Sequence, residues 1–120
     1  ELLVPPLMRQ VIYTIVSAAN NCEMCLCFHA AGCLKAEFVT PEDMKLMVDG
    51  GLPQSEEHRK YAVAAKYAIA HKGILLKREK AFLAKLGVDP ILYAEILFWC
   101  GVIHANNMFM VYLINEGCPV

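Results

Sequence analysis

Apolar residues recur along this chain at intervals of three and four, with polar ones between them, as helices with one buried face require. Leu7, Val11, Ile15 and Ala18 form the first such stripe and predict a helix over Leu7 to Ala19, entered through Pro5 and Pro6. Asn20-Asn21 breaks it, and a second helix is predicted from Cys22 to Ala36. Thr40-Pro41-Glu42-Asp43 puts a cap, a first-turn proline and two acids together, so a third helix runs from there to the stop at Gly50-Gly51. Ser55 is expected to cap a fourth, striped by Tyr61, Ala64, Ala65, Ala68 and Ile69 and ended by Gly73. A short helix from Lys77 to Leu86 stops at Gly87, and Asp89-Pro90 opens a long last one to Asn115, with Gly117 beyond it. No stretch sustains the period-two alternation of a strand. The predicted fold is all-α: a single-domain helical bundle of about six helices over residues 1–120.

Composition sharpens this picture. Hydrophobic residues make up 58% of the chain and charged ones 19%, against about 45–50% and 25% in an average soluble domain. That excludes disorder, and it exceeds what a small monomer readily buries, so a homo-oligomer is expected. Residues 35–89 carry eighteen of the twenty-three charged residues. The two charge-poor ends are therefore expected in the core or at subunit contacts, especially Ile91 to Ile114. With a net charge of -1, the chain lacks the basic surplus of a nucleic-acid binder. The apolar run from Ile91 to Ile114 is interrupted by Glu95, His104, Asn106 and Asn107, so no membrane span is expected. No signal peptide is expected either.

The chemistry concentrates in Asn21-Cys22-Glu23-Met24-Cys25-Leu26-Cys27-Phe28-His29. At about 100° per residue, His29 lies roughly 40° around a helix from Cys25 and 20° from Cys22, so the three side chains point one way. Cys25 and His29 stand at the i, i+4 spacing that brings side chains together. Cys27, roughly 140° from Cys22, is read as packing. A free thiol has a pKa of about 8.5 and only its thiolate attacks; a helix start and an adjacent histidine both favour that form. A second cysteine three residues away can close a disulfide with little backbone movement. Which of the two attacks, the spacing leaves open.

Blander readings stand beside this one. The cysteines could be small apolar packing residues, and His29 a core histidine bonded to a carbonyl. Zinc is disfavoured, because Cys22, Cys25, His29 and Cys33 would spread over roughly 16 Å of helix, and no metal is expected. His58 and His71 are read as solvated and His104 as structural. Cys33, Cys100 and Cys118 are read as packing or exposed. Met8, Met44, Met47, Met108 and Met110 are read as core fillers. Four cysteines crowded into one helix do not resemble a secreted disulfide scaffold, so a reducing, cytoplasmic setting is expected.

Arg9-Gln10, the run Val16-Ser17-Ala18-Ala19-Asn20-Asn21-Cys22-Glu23-Met24-Cys25 and His29 together resemble the alkylhydroperoxidase D-like family, within the carboxymuconolactone decarboxylase-like superfamily. Weaker similarity covers Gly87-Val88-Asp89-Pro90 and Asn106-Asn107-Met108. The resemblance implies an all-helical fold assembled as trimers or hexamers and a thiol peroxidase reaction on a hydroperoxide. Cys25 would be the peroxidatic thiol, Cys22 its resolving partner and part of a proton relay, and His29 the base. The family's relay glutamate falls at Gln10, whose amide hydrogen-bonds but cannot accept a proton as a general base. The polar residue common inside the motif is Met24 here. No glycine-rich dinucleotide turn is present, so no bound cofactor is expected, and an external dithiol reductant protein would complete the cycle. Two alternatives accompany this: a weakly active or non-catalytic redox-responsive oligomer, and a lyase acting on a small carboxylated compound. The lyase fits less well, because that branch generally lacks the paired cysteines.

Overall fold

The computed structural model describes residues 2–117, and Cys118 lies outside them. It holds six helices: α1 (Pro6–Ala19), α2 (Glu23–Lys35), α3 (Pro41–Val48), α4 (Glu56–His71), α5 (Lys77–Lys85) and α6 (Pro90–Asn115). Among the described residues there is no strand. The start signals act largely as read. Thr40 Oγ1 accepts from the Asp43 N–H at 3.1 Å, and Asp89 Oδ1 accepts from the Leu92 N–H at 2.8 Å ahead of a first-turn proline. Ser55 makes no side-chain cap bond. Buried Asp43 takes over instead, its carboxylate accepting from the N–H groups of Gln54 and Ser55 and tying the start of α3 to that of α4.

Helix α1 is the axis of the bundle, packed against α2, α3, α4 and α6, while α5 docks on α4. Its inward face keeps Val11 and Ile15 of the predicted stripe and departs from it at both ends, where Leu7 is exposed and Ala18 half-buried. Met8, Val11, Ile12, Ile15 and Val16 are buried, whereas Leu7 is exposed. With Pro6 as the first helical residue, Leu7 falls on the outer side of the opening turn. On α4 the alanines of the stripe are buried as expected, alongside Ala62 and Val63. The helix ends at Lys72 in the left-handed region and Gly73 at φ +90°. Gly73 is needed there twice over, since a Cβ would also meet the Leu97 side chain at 3.2 Å.

The readings of His58 and Met108 are corrected. His58 is buried, its ring 4.6 Å from that of Phe38, because α4 turns it under the loop that precedes α3. His71 is exposed, as read, and is also bonded: its Nε2 lies 2.9 Å from Glu79 Oε2, while Glu79 Oε1 accepts from the Leu76 N–H, so one carboxylate joins the end of α4 to the start of α5. Met108 is no core filler, being 59% exposed on α6. That helix is long and apolar enough by length and composition to cross a membrane. Its inner side packs on α1 and α4 through Tyr93, Ile96, Cys100, Ile103 and Asn107.

Candidate functional site

The turn between α1 and α2 creates the site. Asn21 takes a left-handed φ of 55°, and the Cys22 N–H donates to the Ser17 carbonyl at 3.1 Å, which swings Cys22 back against the end of α1. Cys22 is the residue immediately before α2, and Cys25 sits in its first turn. The two are joined as a disulfide with a Cα–Cα distance of 5.3 Å, well within the range such a bond needs. Both are buried, at 1% and 4% exposure, and His29 one turn on from Cys25 is buried at 8%. The predicted common face of Cys22, Cys25 and His29 is therefore the inward face of α2.

Gln10, the fourth predicted residue, reaches the same place from α1. His29 Nδ1 lies 2.6 Å from Gln10 Oε1. An amide oxygen only accepts, so Nδ1 carries the hydrogen and the Nε2 lone pair is left free. Burial holds the His29 imidazole below its ordinary value. It is neutral at pH 7 and hence an acceptor, and the start of α2 supplies a favourable field for a thiolate.

The other cysteines divide differently from the reading. Cys27 is exposed, not packed, because the inward side of α2 is taken by Cys25, His29, Ala30 and Cys33, and Cys27 falls opposite. Cys33 and Cys100 are buried as expected. Burial pushes the Cys33 thiol up and that of Cys100 to about 12, so both stay protonated and inert at neutral pH. Among the described residues no group of three or more His, Cys, Asp or Glu side chains is placed to hold a metal ion.

An aromatic shell around His29 was not foreseen. Tyr13 lies edge-on to His29 at 5.0 Å and to Trp99 at 6.4 Å, and Phe28 is edge-on to His29 at 5.2 Å. The Arg9 guanidinium rests over the Trp99 ring at 4.4 Å, its Nε donating to the Val4 carbonyl. Glu95 accepts from the Trp99 indole and from the N–H groups of Leu3 and Val4, the last two at 2.6 Å. Burial alone would raise the Glu95 carboxyl, but these three donors and the charge of Arg9 outweigh it and hold the group below its ordinary range. Tyr13 stands three residues after Gln10, a spacing that puts both on one side of α1. Its meeting with Trp99 joins residues 86 positions apart, and no local pattern signals it.

A second polar cluster lies on the other side of the Asn20–Cys22 turn. Asn20 Nδ2 donates to Asn107 Oδ1 at 3.0 Å and to His104 Nδ1 at 2.9 Å, and Asn107 Nδ2 donates to Ser17 Oγ at 3.1 Å. His104 is thereby structural, as read from the sequence. A cavity of about 730 Å³ lies away from the cysteines, between Gly73–Leu75, the inner side of α5 and the start of α6 at Pro90 and Tyr93. Compared with family models, curated proteins and solved structures, the chain matches none of them.

Proposed function

We propose that the protein is a cysteine peroxidase of the alkylhydroperoxidase D-like kind, cycling between a Cys22/Cys25 dithiol and its disulfide. The observation that carries this is the arrangement of the pair at the start of α2, with a buried neutral His29 on the same face and its Nδ1 hydrogen committed to Gln10. In the reduced form, His29 Nε2 takes the thiol proton of Cys25, and the thiolate attacks the terminal oxygen of a hydroperoxide. The O–O bond breaks, Cys25 becomes a sulfenic acid, and the alcohol leaves with the returned proton. The Cys22 thiol then displaces water from that sulfenic acid and forms the disulfide. An external dithiol protein reduces the disulfide, gives up two electrons and two protons, and completes the cycle.

Gln10 favours a second, quieter reading. Its amide fixes the His29 tautomer but cannot relay a proton, which suits a redox-responsive protein with little turnover. Peroxide consumption by the reduced protein with excess dithiol separates the two. Sustained turnover that is abolished in Cys25→Ser, with a sulfenic acid trapped on Cys25 in Cys22→Ser, supports the peroxidase. Consumption of one equivalent and no more supports the redox-responsive protein. Faster labelling of exposed Cys27 than of Cys25 in the reduced protein at neutral pH would overturn the assignment of Cys25.

A further inference from the structure

Helix α6 presents its outer side to solvent as a nearly unbroken apolar surface. From Ile96 to Asn115 it carries no Asp, Glu, Lys or Arg. Of its polar side chains, His104 and Asn107 are turned inward onto Asn20 and Ser17, while Asn106 is exposed beside the apolar residues. Outside remain Ile91, Phe98, Val102, Met108, Phe109 and Tyr112, each from 43% to 72% exposed. Side chains of this size expose together an area on the order of one side of a standard interface, about 800 Å² per partner.

Within that surface large and small residues alternate. Ile91, Phe98, Ala105 and Tyr112 recur every seven positions, with Ala94, Gly101, Val102 and Phe109 beside them, so all eight share one stripe of the helix. Gly101 is the telling position. A glycine in a helix interior is unfavourable, and nothing in this chain lies within 4 Å of where its Cβ would stand. Its own fold gives no reason for it. Close approach of another backbone would.

We propose that this stripe is the contact with a second copy of the chain, the two α6 helices running antiparallel about a two-fold axis between Gly101 and Val102. Read about that point, the stripe is self-complementary: Phe98 faces Ala105 of the other copy, Ala94 faces Phe109, Gly101 faces Val102, and Ile91 faces Tyr112. Two hollows flanking the helix, one of about 490 Å³ beside Leu97 and Gly101 and one of about 310 Å³ beside Met108 and Tyr112, receive the neighbouring large side chains. A bilayer fits the same surface less well. The helices behind α6 bring charged residues with them, among them Glu56, Glu57, Arg59, Lys60 and Lys66 on α4, and would have to lie alongside the membrane core.

Sedimentation of the wild-type protein at micromolar concentration tests this, and an even-numbered oligomer is expected. Phe98→Glu should weaken the association about a hundredfold, the size of a central hot-spot loss. Gly101→Leu improves the isolated helix yet should weaken association as well. Since Gly101→Leu has open space in its own chain, retained helicity in that variant separates a lost contact from a lost fold. In a Cys27→Ser background, Val102→Cys should oxidise to a covalent dimer. A monomer, an odd-numbered oligomer, or association unchanged by both Phe98→Glu and Gly101→Leu would overturn the proposal. So would flotation of a monomeric wild type with phosphatidylcholine vesicles.

Discussion

Two partly buried clusters, one on each side of the turn that carries Cys22, pair a histidine with a side-chain amide, and they do so with opposite polarity. At His29 the amide presents its oxygen, so Nδ1 holds the hydrogen and Nε2 is left as a base. At His104 the amide of Asn20 presents its NH₂ group, so Nδ1 is the acceptor and Nε2 holds the hydrogen. The same two kinds of residue thus make a proton acceptor in one place and a clamp in the other. What decides is the end of the amide that its other bonds leave available: Asn20 Nδ2 is shared with Asn107, whose own NH₂ group is committed to Ser17.

The sharpest way to break this contrast is to remove each ring. His29→Ala should lower hydroperoxide turnover about 10²–10³-fold, within the range a general base contributes, while His104→Ala leaves turnover unchanged. Steady-state rates with one dithiol measure both, and equal losses would mean that the tautomers do not divide the roles. Next in size is Asn107→Ala. Asn107 is fully buried, and its removal strands Ser17 and the shared amide of Asn20. A loss of about 2–3 kcal/mol in urea unfolding is expected, the cost of unsatisfied buried groups plus a cavity.

Gln10→Glu sharpens the other cluster. A carboxylate there restores a proton relay, but it is also a buried charge near a thiolate. A gain of several-fold in turnover is expected, the relay contribution outweighing the penalty. No gain in a folded variant would assign proton transfer to another group. The smallest effect is on pH dependence. His29 has a lowered value in the fold, so the folded state binds fewer protons than the unfolded one as pH falls. The stability this group contributes is present above the ordinary imidazole value near 6.5 and is lost as pH drops below it. His29→Gln should flatten unfolding curves measured between pH 7 and 5.

Much of the framework was legible because its signals are local. Thr40-Pro41 and Asp89-Pro90 carry their cap, proline and turn within four residues, and both helices begin there. The Cys22, Cys25, His29 face followed from helical spacing alone. What failed depended on which side of a helix its neighbours cover. Leu7 and Met8 are both apolar, and only the entry of α1 through Pro6 decides that Met8 goes inward. Cys27 is read as packing because it turns away from Cys22, but α2 has a single covered side, and Cys27 lies off it. His58 sits among charges in sequence but under Phe38 in space. Tyr13 and Trp99, like Asn20 and Asn107, meet only because α6 lies along α1.

Trp99 is the only tryptophan in the chain, and its setting makes it a built-in optical reporter. Its indole N–H is held by the same Glu95 carboxylate that grips the backbone of Leu3 and Val4, and its ring lies beneath Arg9. Protonating Glu95 in acid weakens these bonds together. Because the clasp joins residues 91 and 92 positions apart, it closes a long loop of chain and stabilises few residues in return, so it is suited to open before the helices do. Emission from Trp99 should therefore change on acidification while helical ellipticity stays constant, giving a view of the amino-terminal segment detaching and reseating that needs no added label.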